Sequence, residues 1–559
     1  MKPDLDLSGA IPDSRGTNLY RFDRDAAALF AHYLPGKLFT HLSPTFERLG
    51  ALAGGRLDEL AGIADRNPPT LSVRRRTGED CNVIEKHPAY VEMERLAFSE
   101  LGLAAASHRG VLGWPEPMPP AAKYALTYLF VQAEFGLMCP VSMTDSLTRT
   151  LKRYGDPKLV ARFIDRLTTL DFDTLTQGAM FMTEQGAGSD VSATATQAVA
   201  QPDGTWKLTG DKWFCSNADA DLAMVLARSE DVAGLKGVSL FLLPRTKADG
   251  VPNDYRILRL KDKLGTRSMA SGEIRLEGAE AYLVGERGRG FQQMADMVNN
   301  SRLSNGVRAS ALMRRAVTEA LFIARRRQAF GKRLIEMPLM RRQLAKMLVW
   351  AEQARTMMFL TADALDRANH GDAEAARLTR IMTPLIKFRA CRDARKVTGD
   401  AMEVRGGCGY IEEWPDARLL RDAHLGSIWE GTSNIVALDV SRAITRDGAL
   451  PALRAANQAR LRAAALDGPT TAQFAAVLDR ACAFAEEVAA NRSEALARQS
   501  ASALYHITSA IGLAREATLE GLGHRLEFAQ MVLAHRLLPR DPLAREDGGE
   551  GLSALWTMD

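Results

Sequence analysis

The spacing of apolar residues divides the chain into helical and strand-rich stretches. One helical stripe, with apolar residues three and four positions apart, is formed by Leu344, Met347, Leu348 and Ala351. This spacing predicts an amphipathic helix that turns one face to a core. Between residues 177 and 290 the pattern changes to short alternating or apolar runs bounded by Gly, Asp and Asn. Runs of that kind predict a small β domain.

The helical pattern continues through the last part of the chain. Two more stripes are formed by Phe474, Val477, Leu478, Ala481 and Ala485, and by Leu504, Ile507, Ile511 and Ala514. The turn-forming residues at 466–469 predict a break before these helices. A chain of 559 residues is too long for one core. We therefore predict an α+β multidomain protein with a helical N-terminal domain (1–174), a β domain (175–290), a helical domain (291–440) and a C-terminal helical extension (441–559).

Composition narrows the class of protein only a little. Lys and Arg total 72, Asp and Glu total 68, and the net charge is +4, which is too mild to indicate a nucleic-acid partner by itself. The six cysteines include no CxxC pair, which argues against a zinc site or a disulfide framework. The acidic N-terminus and the lack of a long apolar run predict a soluble, cytoplasmic protein without a bound metal.

Two short motifs in the β domain have the composition of a ligand-binding loop. In the segment MTEQGAGSD at 182–190, small residues allow the backbone to approach a bulky ligand, and Thr183 and Ser189 add hydroxyl donors. A plain surface loop explains this segment about as well. In the segment GDKWFCSN at 210–217, the aromatic pair could wall a planar ring. A buried aromatic strand end is the alternative.

A third motif, SIWEGTSNI at 427–435, contains the candidate catalytic group. Glu430 stands between Trp429 and Gly431, immediately before an apolar helix. A carboxylate in such a position can act as a general base. The alternative is an acid that only complements the dipole at the start of a helix.

Two further motifs could bind phosphate groups. Arg327 begins the segment RQAFGK, and an arginine can clamp a phosphate with two hydrogen bonds. Gly406 and Gly407 begin the segment GGCGY, and a glycine-rich turn can admit a pyrophosphate. A solvated helix end and a helix-terminating loop are the respective alternatives.

These five motifs, in this order, resemble the acyl-CoA dehydrogenase superfamily. The resemblance covers residues 18–446. The strings NLY, NPP, LMCP and RLKDKLG, together with the extra C-terminal helices, are most similar to the branch of the alkylation-response flavoprotein AidB. The resemblance implies a helical domain, a central β-barrel-like domain and a C-terminal four-helix bundle with a helical extension. It also implies FAD as cofactor, an acyl-CoA substrate, a homotetramer, and an electron-transfer flavoprotein as electron acceptor.

The resemblance also assigns roles to individual residues. Glu430 would be the catalytic base, and Arg302 lies where family members often contact CoA, although a helix-surface arginine is equally expected there. The FAD-binding set would comprise Met182, Thr183, Gly188, Ser189, Phe214, Cys215, Ser216, Arg327, Phe330, Glu403, Gly406, Gly407, Ile428, Trp429, Gly431, Thr432 and Asn434. Of these, Arg327 and Phe330 would reach the FAD of a neighbouring subunit.

Two residues of the cofactor set depart from the family pattern. Phe214 replaces the commoner Trp, and Glu403 stands where a Gln usually contacts the pyrophosphate. An ionised Glu403 would repel that group, which puts its role in doubt.

Two alternative functions follow from the same resemblance. A flavoprotein of the AidB kind could bind DNA through its C-terminal helices, which would need a basic face. Residues 441–559 contain 13 Arg, no Lys and 14 acidic residues, so a solvated surface between subunits is the stronger interpretation. The other alternative keeps the fold and FAD but has only vestigial turnover.

Overall fold

Helices form most of the N-terminal region of this computed structural model, which describes residues 11–541 and 543. They are α1 (Leu19–Phe22), α2 (Ala26–Tyr33), α3 (Gly36–Ala53), α4 (Arg56–Arg66), α5 (Pro88–Arg95), α6 (Pro120–Val131), α7 (Met138–Tyr154) and α8 (Pro157–Thr168). Every residue of α6 is buried, as expected for a helix that is apolar on all sides. The side chain of Asn18 caps α1 and that of Asp156 caps α8.

A β-hairpin interrupts this helical region, which the sequence patterns did not predict. Strands β1 (Thr70–Arg74) and β2 (Asp80–Glu85) pair antiparallel around a turn that contains Gly78 at φ +101°. Both strands are largely exposed, so they lack the apolar alternation from which strands are recognised.

The β domain is a closed barrel. Its strands are β3 (Gly178–Phe181), β4 (Gln197–Ala200), β5 (Trp206–Ser216), β6 (Leu222–Arg228), β7 (Val238–Pro244), β8 (Tyr255–Leu260) and β9 (Ser271–Val284). The ring β6–β7–β9–β5–β4 closes because β4 also pairs with β6, while β3 and β8 add to β6 and β9. The predicted β domain is therefore confirmed, and closure leaves few free strand edges.

Long helices follow the barrel. They are α9 (Gly290–Arg326), α10 (Pro338–Asn369) and α11 (Ala373–Arg405), followed by α12 (Pro415–Gly426) and α13 (Ser433–Thr445). The predicted stripe from Leu344 to Ala351 is buried on α10. A short hairpin, β10 (Gln328–Ala329) and β11 (Lys332–Arg333), connects α9 to α10. At the start of α9, a Cβ on Gly290 would lie 2.3 Å from the backbone of Ser239, so only glycine lets α9 begin this close to the barrel.

The C-terminal extension packs onto the long helices. Its helices are α14 (Ala449–Ala463), α15 (Gly468–Ala490), α16 (Ala497–Glu516) and α17 (Arg525–Val532). The two predicted apolar stripes are buried on α15 and α16, and the predicted break precedes α15, where Asp467 caps the helix. No helix within the described residues is long and apolar enough to cross a membrane.

Candidate functional site

A cavity of about 800 Å³ lies where the barrel meets α7, α9 and the loop between α12 and α13. Apolar side chains from all of these elements line it, and a rim of arginines surrounds its mouth. Of the predicted site residues, the cavity wall includes Met182, Thr183, Gly188, Ser189, Phe214, Ser216, Arg302, Ile428, Trp429, Glu430, Gly431 and Thr432. Three motifs that are distant in sequence thus meet at one cavity.

Glu430 is half-buried in the cavity wall. Its two carboxylate oxygens accept hydrogen bonds from Ser301 Oγ and Asn305 Nδ2. Both donors are fully buried on α9, and their i, i+4 spacing places them on one helix face. The carboxylate is therefore held in one orientation instead of pairing with a cation or capping a helix.

The backbone next to Glu430 is held from two helices. Arg302 Nε on α9 donates to the Glu430 carbonyl at 3.0 Å, and the same guanidinium contacts Asp439 at 2.8 Å. Lys387 Nζ on α11 donates to the Gly431 carbonyl. Sequence reasoning missed Ser301, Asn305 and Lys387, because no local motif marks them.

Trp429 forms the apolar side of the catalytic loop. Its ring stacks on Phe135 with centroids 6.0 Å apart and an interplanar angle of 17°. Behind the stack, the Arg308 guanidinium carbon lies 4.7 Å from the Trp429 ring centroid. Arg308 is fully buried, and its two terminal nitrogens have no hydrogen-bond partner among the described residues. A cation–π contact partly compensates such a charge.

The barrel supplies the opposite wall. Trp213 N donates to the Thr183 carbonyl at 2.8 Å, which ties the segment at 182–190 to β5. Along β5, Phe214 and Ser216 contribute to the cavity, whereas Cys215 is fully buried in the barrel core. This alternation is the two-residue period of a strand. Any contact between Cys215 and a ligand in the cavity would have to come from its backbone.

A half-buried lysine lies at the edge of the barrel wall. Lys263 Nζ donates to the Met269 carbonyl at 2.6 Å and to Thr266 Oγ1 at 3.1 Å. Burial lowers the pKa of Lys263 to about 8. No carboxylate among the described residues forms an ion pair with it. The cavity wall therefore carries a lysine without a direct carboxylate partner, and the more distant Asp422 and Glu134 only partly oppose the lowering of its pKa.

The remaining predicted cofactor residues lie outside this cavity. Arg327 Nη1 donates to the Arg405 carbonyl at 2.9 Å, which brings it next to Gly406. Glu403 accepts from Gln343 at 3.2 Å. Gly407 has open space around its Cα. The two phosphate-binding motifs are thus adjacent to one another, on a different surface from Glu430.

Phe330 and Asn434 lie outside the cavity and are exposed. Phe330, at the tip of the hairpin between α9 and α10, has 97% of its surface accessible and a φ of +52°. Asn434, in the first turn of α13, is also exposed and is not part of the cavity wall.

The arginines that would form a basic C-terminal face point in different directions. Arg442 and Arg446 line the cavity. Arg454 pairs with Asp479 at 2.6 Å. Arg460 is half-buried, and desolvation lowers its pKa. The described residues therefore do not present these arginines as a single surface.

Family models match three successive parts of the chain. They describe the acyl-CoA dehydrogenase C-terminal domain at 288–445, the acyl-CoA dehydrogenase middle domain at 179–279, and the N-terminal domain of the adaptive response protein AidB at 10–174. The putative acyl-CoA dehydrogenase AidB of Escherichia coli is 36% identical over 404 residues, which are 69% of this chain and 71% of that protein.

Solved structures share the architecture. The Caenorhabditis elegans protein ACDH-11, crystallised in complex with C11-CoA, superposes with a TM-score of 0.88 at 27% identity, over 95% of this chain and 93% of that one. An acyl-CoA dehydrogenase from Bacillus anthracis, complexed with FAD, shares the fold at 20% identity with a TM-score of 0.66, over 79% of this chain and 80% of that one. The succession of helical domain, barrel and helical domain is common to all three chains.

Proposed function

The chain belongs to the acyl-CoA dehydrogenase family, on its AidB-like branch, and from that premise we propose that it oxidises an acyl-CoA thioester between Cα and Cβ with FAD as cofactor. The observation that carries the proposal is the position of Glu430. Its carboxylate lies in the wall of a mostly apolar cavity, oriented by Ser301 and Asn305. A carboxylate so placed is suited to accept a proton from a carbon acid.

The cavity has the properties that a flavin requires. Phe214, Leu264 and Ile428 are large apolar side chains that stay more than half exposed within its wall, which suits the face of a planar ring. A Cβ added to Gly188 would meet no atom within 4 Å, so the loop leaves room for a bulky group. When bound, FAD supplies the acceptor for the hydride that leaves Cβ.

The residues of this chain supply the proton chemistry and the environment. A carboxylate oxygen of Glu430 takes the proton from Cα. Trp429, stacked on Phe135, shields that side of the cavity from water, which strengthens the electrostatic interactions inside. The unneutralised charge of Lys263 favours negative charge that develops in the cavity.

An acyl-CoA substrate fits the rim of the cavity. Arg442 and Arg446 lie one turn apart, on α13 and at its end, and both line the cavity. Such a group would attract the phosphates of CoA. The homologue ACDH-11 was crystallised with C11-CoA, which supports the same substrate class here. Because the Arg302 guanidinium is already engaged by Glu430 and Asp439, we propose that it supports the catalytic loop instead of contacting CoA.

The exposed hairpin supports a homo-oligomer. In our proposal, Phe330 and Arg327 complete the FAD site of a neighbouring subunit, near its Gly406 and Gly407, and the assembly is a tetramer. This explains why the two motifs lie apart from Glu430 in one chain and why Phe330 is exposed. An electron-transfer flavoprotein is the proposed electron acceptor. DNA binding gains no support, because the C-terminal arginines do not share a face.

Replacement of Glu430 tests the proposed function. We expect Glu430→Gln to retain FAD and to lose anaerobic bleaching of the flavin by acyl-CoA by at least about 1,000-fold, because the amide cannot accept the proton. The measurement is flavin absorbance after addition of a panel of acyl-CoA thioesters. Glu413→Gln, a substitution outside the cavity, is the control. Unchanged bleaching in Glu430→Gln would remove Glu430 from this role.

A further inference from the structure

The loop that carries Glu430 has an unfavourable backbone conformation. Glu430 has a φ of +54° and Gly431 a φ of +100°, so two successive residues occupy the left-handed region. Glycine adopts this conformation freely, but a glutamate does so at an energetic cost. A strained segment persists only where its surroundings fix it. The contacts that hold this loop therefore determine where the carboxylate points.

Two cationic side chains hold the loop, but they are supported differently. The guanidinium of Arg302 donates to the Glu430 carbonyl and also forms an ion pair with Asp439. Asp439 in turn contacts Arg380 at 2.8 Å. Arg302 therefore belongs to a conventional buried ion network. The ion pair with Asp439 accounts for the burial of Arg302 even without its contact to the loop.

Lys387 has no such network. It is fully buried on α11, and its ammonium group donates to the Gly431 carbonyl. No carboxylate within residues 11–541 forms an ion pair with it. Burial lowers the pKa of Lys387 to about 8, opposed by the nearby Cys391 and Glu430. A buried ammonium without an acid partner is costly, so its presence calls for a role other than stability.

We propose that Lys387 is a positioning residue, which fixes the left-handed Glu430–Gly431 segment through the Gly431 carbonyl and so directs the Glu430 carboxylate into the cavity. The inference rests on the proposed function, because it assigns Lys387 to the reaction that Glu430 performs. The division of labour follows from the contacts. Helix α9 orients the carboxylate, and Lys387 on α11 fixes the peptide that follows it.

Lys387→Met separates positioning from structural support. Methionine fills a similar volume without the charge, so the melting temperature should be unchanged or higher. The misplaced carboxylate should lower kcat about 100-fold, with KM changed less than about threefold. Lys387→Arg, which restores a cationic donor, should recover at least about one tenth of the wild-type kcat. Lys396→Met, an exposed change on the same helix, is the control and should leave all values unaltered.

Hydrogen exchange tests the loop without any turnover. In the FAD-loaded full-length protein, the amides of residues 430–432 should exchange at least about tenfold faster in Lys387→Met than in the wild type or in Lys396→Met. Unchanged exchange and unchanged kcat would overturn the proposal. So would a Lys387→Met protein that melts much earlier or does not fold, because that result would reveal a purely structural lysine.

The two proposals fail in different ways. If the wild-type protein is not reduced by any acyl-CoA, the proposed function fails, while the exchange measurement still decides whether Lys387 fixes the loop. If the wild type is reduced and Lys387→Met behaves identically, only the role of Lys387 is lost.

Discussion

Buried cations are treated in opposite ways in two regions of this protein. At the junction of α1, α9, α10 and α17, Arg314, Arg355 and Arg525 each contact at least two carboxylates. Around the cavity, three cations, two of them fully buried and one half-buried, form no ion pair with any carboxylate in the described chain. They are Lys263, Arg308 and Lys387.

The comparison separates a structural arrangement from a functional one. Paired charges at the junction join segments that are distant in sequence. Each charge loses its partner if these segments separate. The unpaired charges at the cavity cost stability, because no carboxylate offsets the loss of their hydration. Positive charge of this kind is useful where a ligand or a reacting carboxylate supplies the negative partner.

The largest effect should come from the junction. Arg525→Met leaves Asp25, Glu352 and Glu516 without one of their buried cations. We expect a loss of about 3–5 kcal/mol in the free energy of unfolding, measured by urea denaturation. Arg454→Met, which breaks the exposed pair with Asp479, is the matched control and should cost less than about 1 kcal/mol. Equal losses in both variants would show that the buried ion pairs of the junction stabilise the fold no more than an exposed pair does.

The second largest effect should appear in the pH dependence of the free energy of unfolding. Lys387 has an ordinary pKa of 10.5 that burial lowers to about 8. Between these values the unfolded chain binds the proton and the native protein does not, so stability rises with pH in this window. Lys387→Met should therefore be more stable than the wild type near pH 7, by roughly 2–3 kcal/mol, and equal to it near pH 10.5. A stability difference that does not vary with pH would contradict this assignment.

The pH dependence of the junction has the same sign but lies in the acid range. Despite its burial, the hydrogen bond from His524 and the charges of Arg525 and Arg355 hold the pKa of Asp25 below its ordinary value of 3.8. Such a carboxylate contributes stability above pH 3.8 that is lost as the pH falls through the native pKa. The free energy of unfolding should therefore fall less steeply on acidification in Arg525→Met than in the wild type, because the variant already lacks this contribution.

The smallest effect should come from Arg308. Arg308→Met removes a buried charge whose terminal nitrogens have no partner in the described structure, but it also removes the contact with Trp429. These two effects oppose one another, so we expect a change within about 1 kcal/mol. Urea denaturation beside Arg525→Met provides the measurement. A loss of 3 kcal/mol or more would mean that Arg308 is paired like the junction arginines.

Much of the site could be predicted from sequence because its residues come in contiguous motifs. The segments around Met182, Phe214 and Glu430 each bring several cavity residues together. The apolar stripes on α10, α15 and α16 identified buried faces for the same local reason. Cys215 shows the limit of motif reading, because strand alternation turns it away from its neighbours in the motif.

The supporting residues could not be predicted in this way. Ser301 lies 129 positions from Glu430, and Lys387 lies 44 positions from Gly431. On a helix surface these are ordinary polar residues, and only the packing of α9 and α11 brings them to the loop. The hairpin β1–β2 was missed for another reason. Long-range hydrogen bonds between Asn82 and the backbone of Ile257 help to hold the hairpin. No pattern in the neighbouring sequence indicates such bonds.

The partners of Asp25 have a consequence for how the protein is made. Its side chain meets His524 and Arg525, which follow it by 499 and 500 positions. A ribosome adds about 5–20 residues per second, so Asp25 waits tens of seconds before either partner exists. The first helices therefore leave the ribosome long before the two closest cationic partners of Asp25 exist, and their final packing is completed only when synthesis is almost over.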